Sequence, residues 1–189
     1  AQEPAPIVVT APGGGADLDD AIALDRDAVW RGGAPDLRAA LAREVAGVSL
    51  QDAQGNRWQP NLVYRGFTAS PLQGQAQGLA VYLDGGRFNQ PFGDTVAFDL
   101  IPEAALRSAD LLDASPVYGL NALGGALVLT TATGRGDPGL RAALSAGQHG
   151  ERGASIAGGG ASGALSWFGA VQHDREDGWR DFSPSRLTR

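Results

Sequence analysis

Apolar positions along this chain obey two different rules, and the change-over falls near Gly134. Before it, strand-like and helix-like segments interleave. Ala21 to Leu24 reads as a short strand. Pro35-Asp36 then introduces a helix in which Leu37, Leu41 and Val45 recur at i, i+4 and i+8 as one apolar stripe, with Gly47 placed to end it. Val48 to Leu50 starts another extended run, and a polar loop from Gln51 to Pro60 carries Arg57 and Trp58 near its tip. Two β-branched and aromatic runs come next, Leu62 to Phe67 and Leu79 to Gly85, separated by a loop, Thr68 to Gly78, in which glutamine and glycine nearly alternate. A third loop, Phe88 to Asp94, precedes Leu100-Ile101-Pro102-Glu103, where Pro102 can start a helical turn. Ala109 to Leu112 and Leu127 to Thr131 are further strands. This interleaving predicts a small α+β domain in which a helix lies on a mixed sheet.

After Gly134 the helical period is gone. Leu140 to Gly147, Arg152 to Gly159 and Ala164 to Arg175 are strands rich in small residues, separated by Gln148-His149-Gly150-Glu151 and by Gly160-Ala161-Ser162-Gly163. In the first, Leu140, Ala142 and Leu144 share one face and Arg141, Ala143 and Ser145 the other, as in a wall between lipid and water. Leu165, Trp167 and Val171 repeat the alternation less cleanly, and a fourth strand starts near Arg186.

Composition narrows the function classes. The 189 residues hold 28 glycines and 11 prolines, which favours loops and close backbone approaches over helix bundles. The net charge of −6, with no lysine and no arginine-rich run, argues against a nucleic-acid partner. With no cysteine there is no disulfide, thiolate nucleophile or thiolate metal site. No apolar run approaches the roughly 20 residues of a membrane helix, which leaves membrane β-strands open. Glu3 to Gly15 combines Pro4, Pro6, Pro12 and three consecutive glycines around Ile7-Val8-Val9-Thr10, so it reads as an extended arm with a β-prone centre. A start at Ala1-Gln2-Glu3 fits a mature chain after signal-peptide removal or a trimmed one.

Catalytic chemistry finds no support in the residue pattern. His149 and His173 lack a third ligand at metal-site spacing and read as surface or lumen side chains. Gly119 to Gly125 has the glycines of a phosphate loop, but Gly125 fills the lysine slot and no Ser or Thr comes after it. No enzyme activity, intrinsic cofactor or bound metal is expected.

Several segments taken in order carry a family resemblance. They are the helix and turn at Leu41 to Val48, Arg65-Gly66-Phe67, Val81-Tyr82-Leu83-Asp84-Gly85, and Tyr118-Gly119-Leu120-Asn121-Ala122-Leu123-Gly124-Gly125 leading into the strand Ala126 to Thr131. Together they resemble the plug domain of TonB-dependent outer-membrane receptors. Three departures are visible: Ala46 stands for the usual proline, Ala132 for a lysine, and Leu111-Leu112-Asp113 for an Arg-Gly-Pro.

The resemblance implies an arm at residues 1–15, a plug at 16–135 and the start of an outer-membrane β-barrel at 136–189. It makes Ile7, Val8, Val9, Thr10 and Ala11 the TonB box, a strand offered to the periplasmic energy transducer TonB by backbone pairing. Arg65, Gly66, Asp84, Tyr118, Gly124 and Gly125 become structural, with Arg65 a buried cation paired to Asp84 or to the barrel wall, and Gly124-Gly125 permitting close strand approach. The apical loops would offer Arg57, Trp58, Gln73, Gln75, Phe92 and Asp94 to a bulky polar ligand. The implied function is import of a scarce solute across the outer membrane, a ferric siderophore or other metal chelate first, cobalamin or an oligosaccharide behind it. The expected partners are TonB, the small-molecule ligand and outer-membrane lipid. A periplasmic interaction or signalling module without transport is the alternative. A transporter barrel of about 22 strands at roughly 10 residues each needs far more chain than lies beyond Gly136, so the sequence is expected to be the N-terminal part of a longer receptor.

Overall fold

A computed structural model describes residues 21–178 and 183–189. The first strand, β1 (Ile22–Asp25), runs directly into a short helix, α1 (Arg26–Trp30), which the sequence pattern did not reveal. Asp25 is its N-cap, accepting from the Ala28 amide at 2.8 Å. The second helix, α2 (Leu37–Glu44), is capped in the same way by Asp36, which accepts from the Ala39 amide at 2.9 Å. Its predicted stripe is the buried face: Leu37, Leu41 and Val45 all lie inside. The helix stops earlier than expected. Val45 is already extended, so Gly47, at φ +82, shapes the turn into the next strand rather than ending the helix.

The segment expected as a polar loop from Gln51 to Pro60 is a hairpin. Strand β2 (Val48–Ala53) pairs with β3 (Asn56–Tyr64) around Gln54-Gly55, and β3 pairs with β4 (Phe67–Ala69) around Arg65-Gly66. Both central residues of each turn have positive φ, as does Asp84-Gly85 between β5 (Leu79–Leu83) and β6 (Gly86–Arg87). These are type I′ geometries, which match the twist of the strands they join and favour glycine second. Arg57 and Trp58 therefore sit on a strand, not on a loop tip, and Arg65-Gly66 interrupts a run expected to be continuous.

A second sheet holds β5 and β6 together with β7 (Leu106–Leu112) and β8 (Gly125–Thr131), in the order β1-β7-β8-β5-β6. Only β5 and β8 run parallel, which makes it mixed, as expected. Strand β8 is buried on both faces from Gly125 to Leu129, hence its unbroken apolar run. The main core joins Leu41, Leu62, Tyr64, Leu79, Val81, Leu127 and Leu129 between this sheet, the helices and the small sheet. Each such side chain contributes about 1.5–3 kcal/mol on burial. The register Leu79↔Gly125 and Leu112↔Ala126 gathers the segments before β5, before β8 and after β7 at one end of the sheet.

The C-terminal strands β9 (Gly139–Ala146), β10 (Arg152–Ser162), β11 (Leu165–Glu176) and β12 (Ser185–Thr188) form an antiparallel meander that does not close into a barrel. Strand β10 runs on through Gly160-Ala161-Ser162, where the sequence pattern predicts a turn; the pairing Ser162↔Leu165 leaves only Gly163-Ala164 to reverse the chain. The outer face carries Leu140, Leu144, Ile156, Trp167 and Val171, all largely exposed. The inner face, with Ala157 at 1% and Gln172 at 3% exposure, lies against the plug.

Candidate functional site

Three segments meet where β5 and β8 begin, and side-chain amides build them into one surface. Gln77 knits the glutamine-rich loop from inside: its Oε1 accepts from the Ser70 amide at 2.8 Å and its Nε2 donates to the Ser70 and Leu72 carbonyls. Asn89, 6% exposed, staples the next loop to β5, accepting from the Val81 amide at 2.7 Å and donating to the Leu79 and Asp94 carbonyls. Asp94 receives Arg87 at 3.0 Å and the Asn121 amide at 3.1 Å, which ties in the segment before β8. A Cβ built on Gly93 would touch Gln73, so the two loops are in contact.

On this base, Gln73 and Gln75 are exposed and Phe92 is 77% exposed. Leu120 and Leu123 stand out beside them on the third segment. Asp94, expected as a ligand contact, is instead engaged by its own neighbours. Gln77, Asn89, Arg87 and Asn121, which organise the surface, were not singled out from the sequence; the alternating amides of the first loop were the one available signal.

Arg57 and Trp58 belong to a different place, the contact with the β-wall. Arg57 bridges Glu151 at 2.6 Å and Glu176 at 3.2 Å, and lies over the Trp58 ring. Burial works against its charge, but Glu151 and Glu176 outweigh that and hold its pKa above the usual value. The Trp58 indole donates to Ser185 Oγ at 3.0 Å, and Ser185 donates to Glu176. Behind them Arg38 donates to the Arg57 carbonyl at 2.6 Å and pairs with Asp52, which ties α2 to the same contact.

A second ion pair joins plug to wall. Glu103, in the helical turn after Pro102, meets Arg189 at 2.7 Å, with side-chain exposures of 10% and 7%. Burial, with Asp36 and Asp174 adding to it, pushes the Glu103 carboxyl up to about 7 against the pull of Arg189 and the Leu37 amide.

The residues expected as structural are placed with one correction. Arg65 is 58% exposed and pairs at 2.6 Å with Asp113, within the plug, rather than being buried against Asp84 or the wall. Asp113 stands within the stretch where an Arg-Gly-Pro was expected, so the departure itself supplies the partner. Asp84 instead accepts from the Thr131 amide and hydroxyl, each at 2.8 Å, clamping β5 to the end of β8. The Tyr118 carbonyl accepts from the Tyr82 hydroxyl at 2.8 Å. Gly124 and Gly125 are close approaches, as expected: a Cβ would lie 2.4 Å from Phe67 at the first and 2.3 Å from the Leu112 carbonyl at the second. Ile7 to Ala11 fall outside the described residues. His149 sits in the β9–β10 turn and His173 pairs with Thr188 Oγ1. No cluster of three or more potential metal ligands occurs among the described residues.

Comparison with known proteins gives a consistent result. A family model described as the TonB-dependent Receptor Plug Domain matches residues 19–126, more than half of the chain. The fold is similar to the ferric-catecholate import receptor Fiu of E. coli K12 (18% identity, TM-score 0.58), over 82% of this chain and 21% of that one. It is similar to the ferric yersiniabactin uptake receptor FyuA of Yersinia pestis (16%, 0.56), over 89% and 27%. The copper transporter OprC (17%, 0.61) aligns over 92% and 26%. The chain thus spans about a quarter of the length of these receptors. No curated protein matches it.

Proposed function

The chain belongs to the TonB-dependent receptor plug-domain family, and from that premise we propose that it is the plug and first wall strands of an outer-membrane receptor that imports a scarce solute. The observation that carries the reading is a plug sheet continuous in one chain with a β-wall whose outer face is apolar and whose inner face is ion-paired to the plug. A wall of that pattern suits lipid outside and a filled lumen inside.

The leading substrate class is a metal chelate, a ferric siderophore first. Two of the similar receptors are named for ferric ligands and one for copper. Gln73, Gln75 and Phe92 supply the first ligand contacts, amides for chelate oxygens and a ring for aromatic or apolar parts. Arg57 and Trp58 act at the wall. Ile7 to Ala11 form the segment that TonB takes up by strand addition, with no catalytic chemistry involved.

The test is accumulation of ferric siderophores, copper chelates and cobalamin by cells carrying the complete receptor, starved of metal or of vitamin, with and without TonB. Val9→Pro removes a backbone donor from the added strand. It should abolish energy-dependent accumulation while surface binding persists. Normal accumulation by that variant, or none by the wild type for any probe, overturns the reading.

A further inference from the structure

The pairing of β9 to β12 sets the residues of the outer face in rows. Leu165 and Trp167 stand at one end, Ile156 lies opposite Val171 in the middle, and His173 lies opposite Thr188 beyond them. The next row is different in kind: Arg152 lies opposite Arg175, and Arg175 opposite Arg186. All three arginines are exposed and share the face of Trp167 and Val171. An otherwise apolar surface thus ends in three guanidinium groups on neighbouring strands.

Like charges directly opposite on adjacent strands repel. Among the described residues, Arg152 and Arg186 make no hydrogen bond or ion pair, and Arg175 has only the exposed Asp177 at 3.4 Å. The carboxylates at the same level, Glu151 and Glu176, are engaged by Arg57. Alternation along the strands puts those acids inside and the arginines outside.

The height of the row is that of a membrane surface. Arg175 stands ten residues along β11 from Leu165. At about 3.4 Å per residue and a strand tilt of about 40°, they span about 26 Å, against roughly 25 Å for the apolar band of a membrane barrel. The arginines therefore lie at the level of lipid headgroups, and Trp167 near the other edge, where barrels carry aromatic rings. The two edges are not equivalent. Gly163-Ala164 reverses the chain in two residues beside Leu165, on the side where Gly134 lies close against the Trp167 and Gly160 carbonyls. The connections beside the arginines, 147–151 and 177–184, are longer, which is the pattern of the outward side.

We propose that Arg152, Arg175 and Arg186 form a binding site for the phosphorylated headgroup of a lipid in the outward leaflet, with its acyl chains along the apolar face below. A guanidinium takes two phosphate oxygens at once. Three of them abreast over about 10 Å suit a headgroup with more than one phosphate. The bound anion cancels the repulsion within the row, so the lipid stabilises the wall that holds it. The site rests on β9 to β12 being a lipid-facing wall, as proposed above, and not on which solute is imported.

The complete receptor, reconstituted in phosphatidylcholine vesicles doped with bisphosphorylated lipid A or with the same lipid stripped of phosphate, tests the site. Native mass spectrometry of the protein ejected from the vesicles counts the lipid that stays bound. The wild type should prefer the bisphosphorylated form. The triple variant Arg152→Gln, Arg175→Gln, Arg186→Gln should lower that affinity about 100-fold, about five-fold for each charge removed. Lysine at all three positions should keep most of it, and Arg135→Gln, at the other edge, all of it. In pure phosphatidylcholine the triple variant should unfold at a higher temperature than the wild type, because the repulsion is gone. A lower temperature, with faster hydrogen exchange along β10 and β11, marks the arginines as structural and overturns the proposal. Unchanged affinity in the triple variant does the same, as does displacement of lipid A by inorganic phosphate at equal concentration, which marks a site for a free anion. A receptor that inserts into no vesicle removes the wall reading and the proposal with it, whereas insertion with equal retention of the two lipids overturns the proposal alone.

Discussion

Raising the pH should weaken the plug, and Glu103 should account for it. In the folded chain its carboxyl titrates at about 7 against an ordinary 4.5, so the folded state binds the proton more tightly than the unfolded one. The stability this contributes is complete below about 4.5 and is lost as pH rises through about 7. A displacement of about 2.5 units at about 1.4 kcal/mol per unit gives about 3 kcal/mol between the two limits. The assay is denaturant unfolding of the complete receptor's plug between pH 4.5 and 8.5, for wild type and for Glu103→Gln, which carries no titrating proton. The difference between the two curves cancels every other titrating group. It should shift by about 3 kcal/mol in favour of the variant as pH rises, most steeply on the approach to pH 7. A flat difference, or one of opposite sign, would show that Arg189 compensates the buried charge fully and would refute the reasoning.

The same kind of contact sets four other expectations. Gly124→Ala places a methyl 2.4 Å from Phe67 and should cost about 1–3 kcal/mol, read by thermal unfolding, with Phe67→Ala in the same chain recovering part of it. Asp84→Ala removes both hydrogen bonds to Thr131 and should cost about 1–3 kcal/mol, with exchange rising at 129–132 and not in α2. Arg57→Ala leaves Glu151 and Glu176 without their shared cation and should raise exchange at 56–60 and 183–187 while chelate affinity is kept. Phe92→Ala should weaken chelate binding by about ten-fold at unchanged stability, measured on the complete receptor, since the ring packs on little else.

The fold was legible wherever one periodic pattern met one environment. Leu37, Leu41 and Val45 face a single core, and Leu140, Ala142 and Leu144 a single outer surface, so a period of 3.6 or 2 survives in the sequence. Helix α1 was hidden because its five residues, Arg26–Trp30, are too few to show a period, and only the Asp25 cap announces it. The hairpin at Gln54-Gly55 was hidden by composition. Its strands present Gln51, Asp52, Asn56 and Arg57, polar enough to read as loop because they meet water and a charged wall instead of a core. The turn chemistry was nonetheless present: a glycine comes directly after Gln54, Arg65 and Asp84 at each reversal.

The functional residues divide along a similar line. Exposed side chains such as Gln73, Gln75 and Phe92 could be named from a loop's character alone, because a loop tip needs no partner to be where it is. Charged residues could not be assigned that way, because a charge takes its role from the partner it finds, and the partners here are distant in sequence. Arg57 reaches Glu151 and Glu176, Arg65 reaches Asp113, and Glu103 reaches Arg189, all separations that no local pattern encodes. The departure at Asp113 makes the point physically. With a proline there, Arg65 would have no carboxylate at this position; with Asp113 the pair closes within the plug. The described plug–wall ion pairs therefore reside in other residues: Arg57 with Glu151 and Glu176, Glu103 with Arg189, and the more exposed Asp27 with Arg141. Of these only the Glu103 pair is dehydrated on both sides, and it is the one whose carboxyl burial pushes up to about 7.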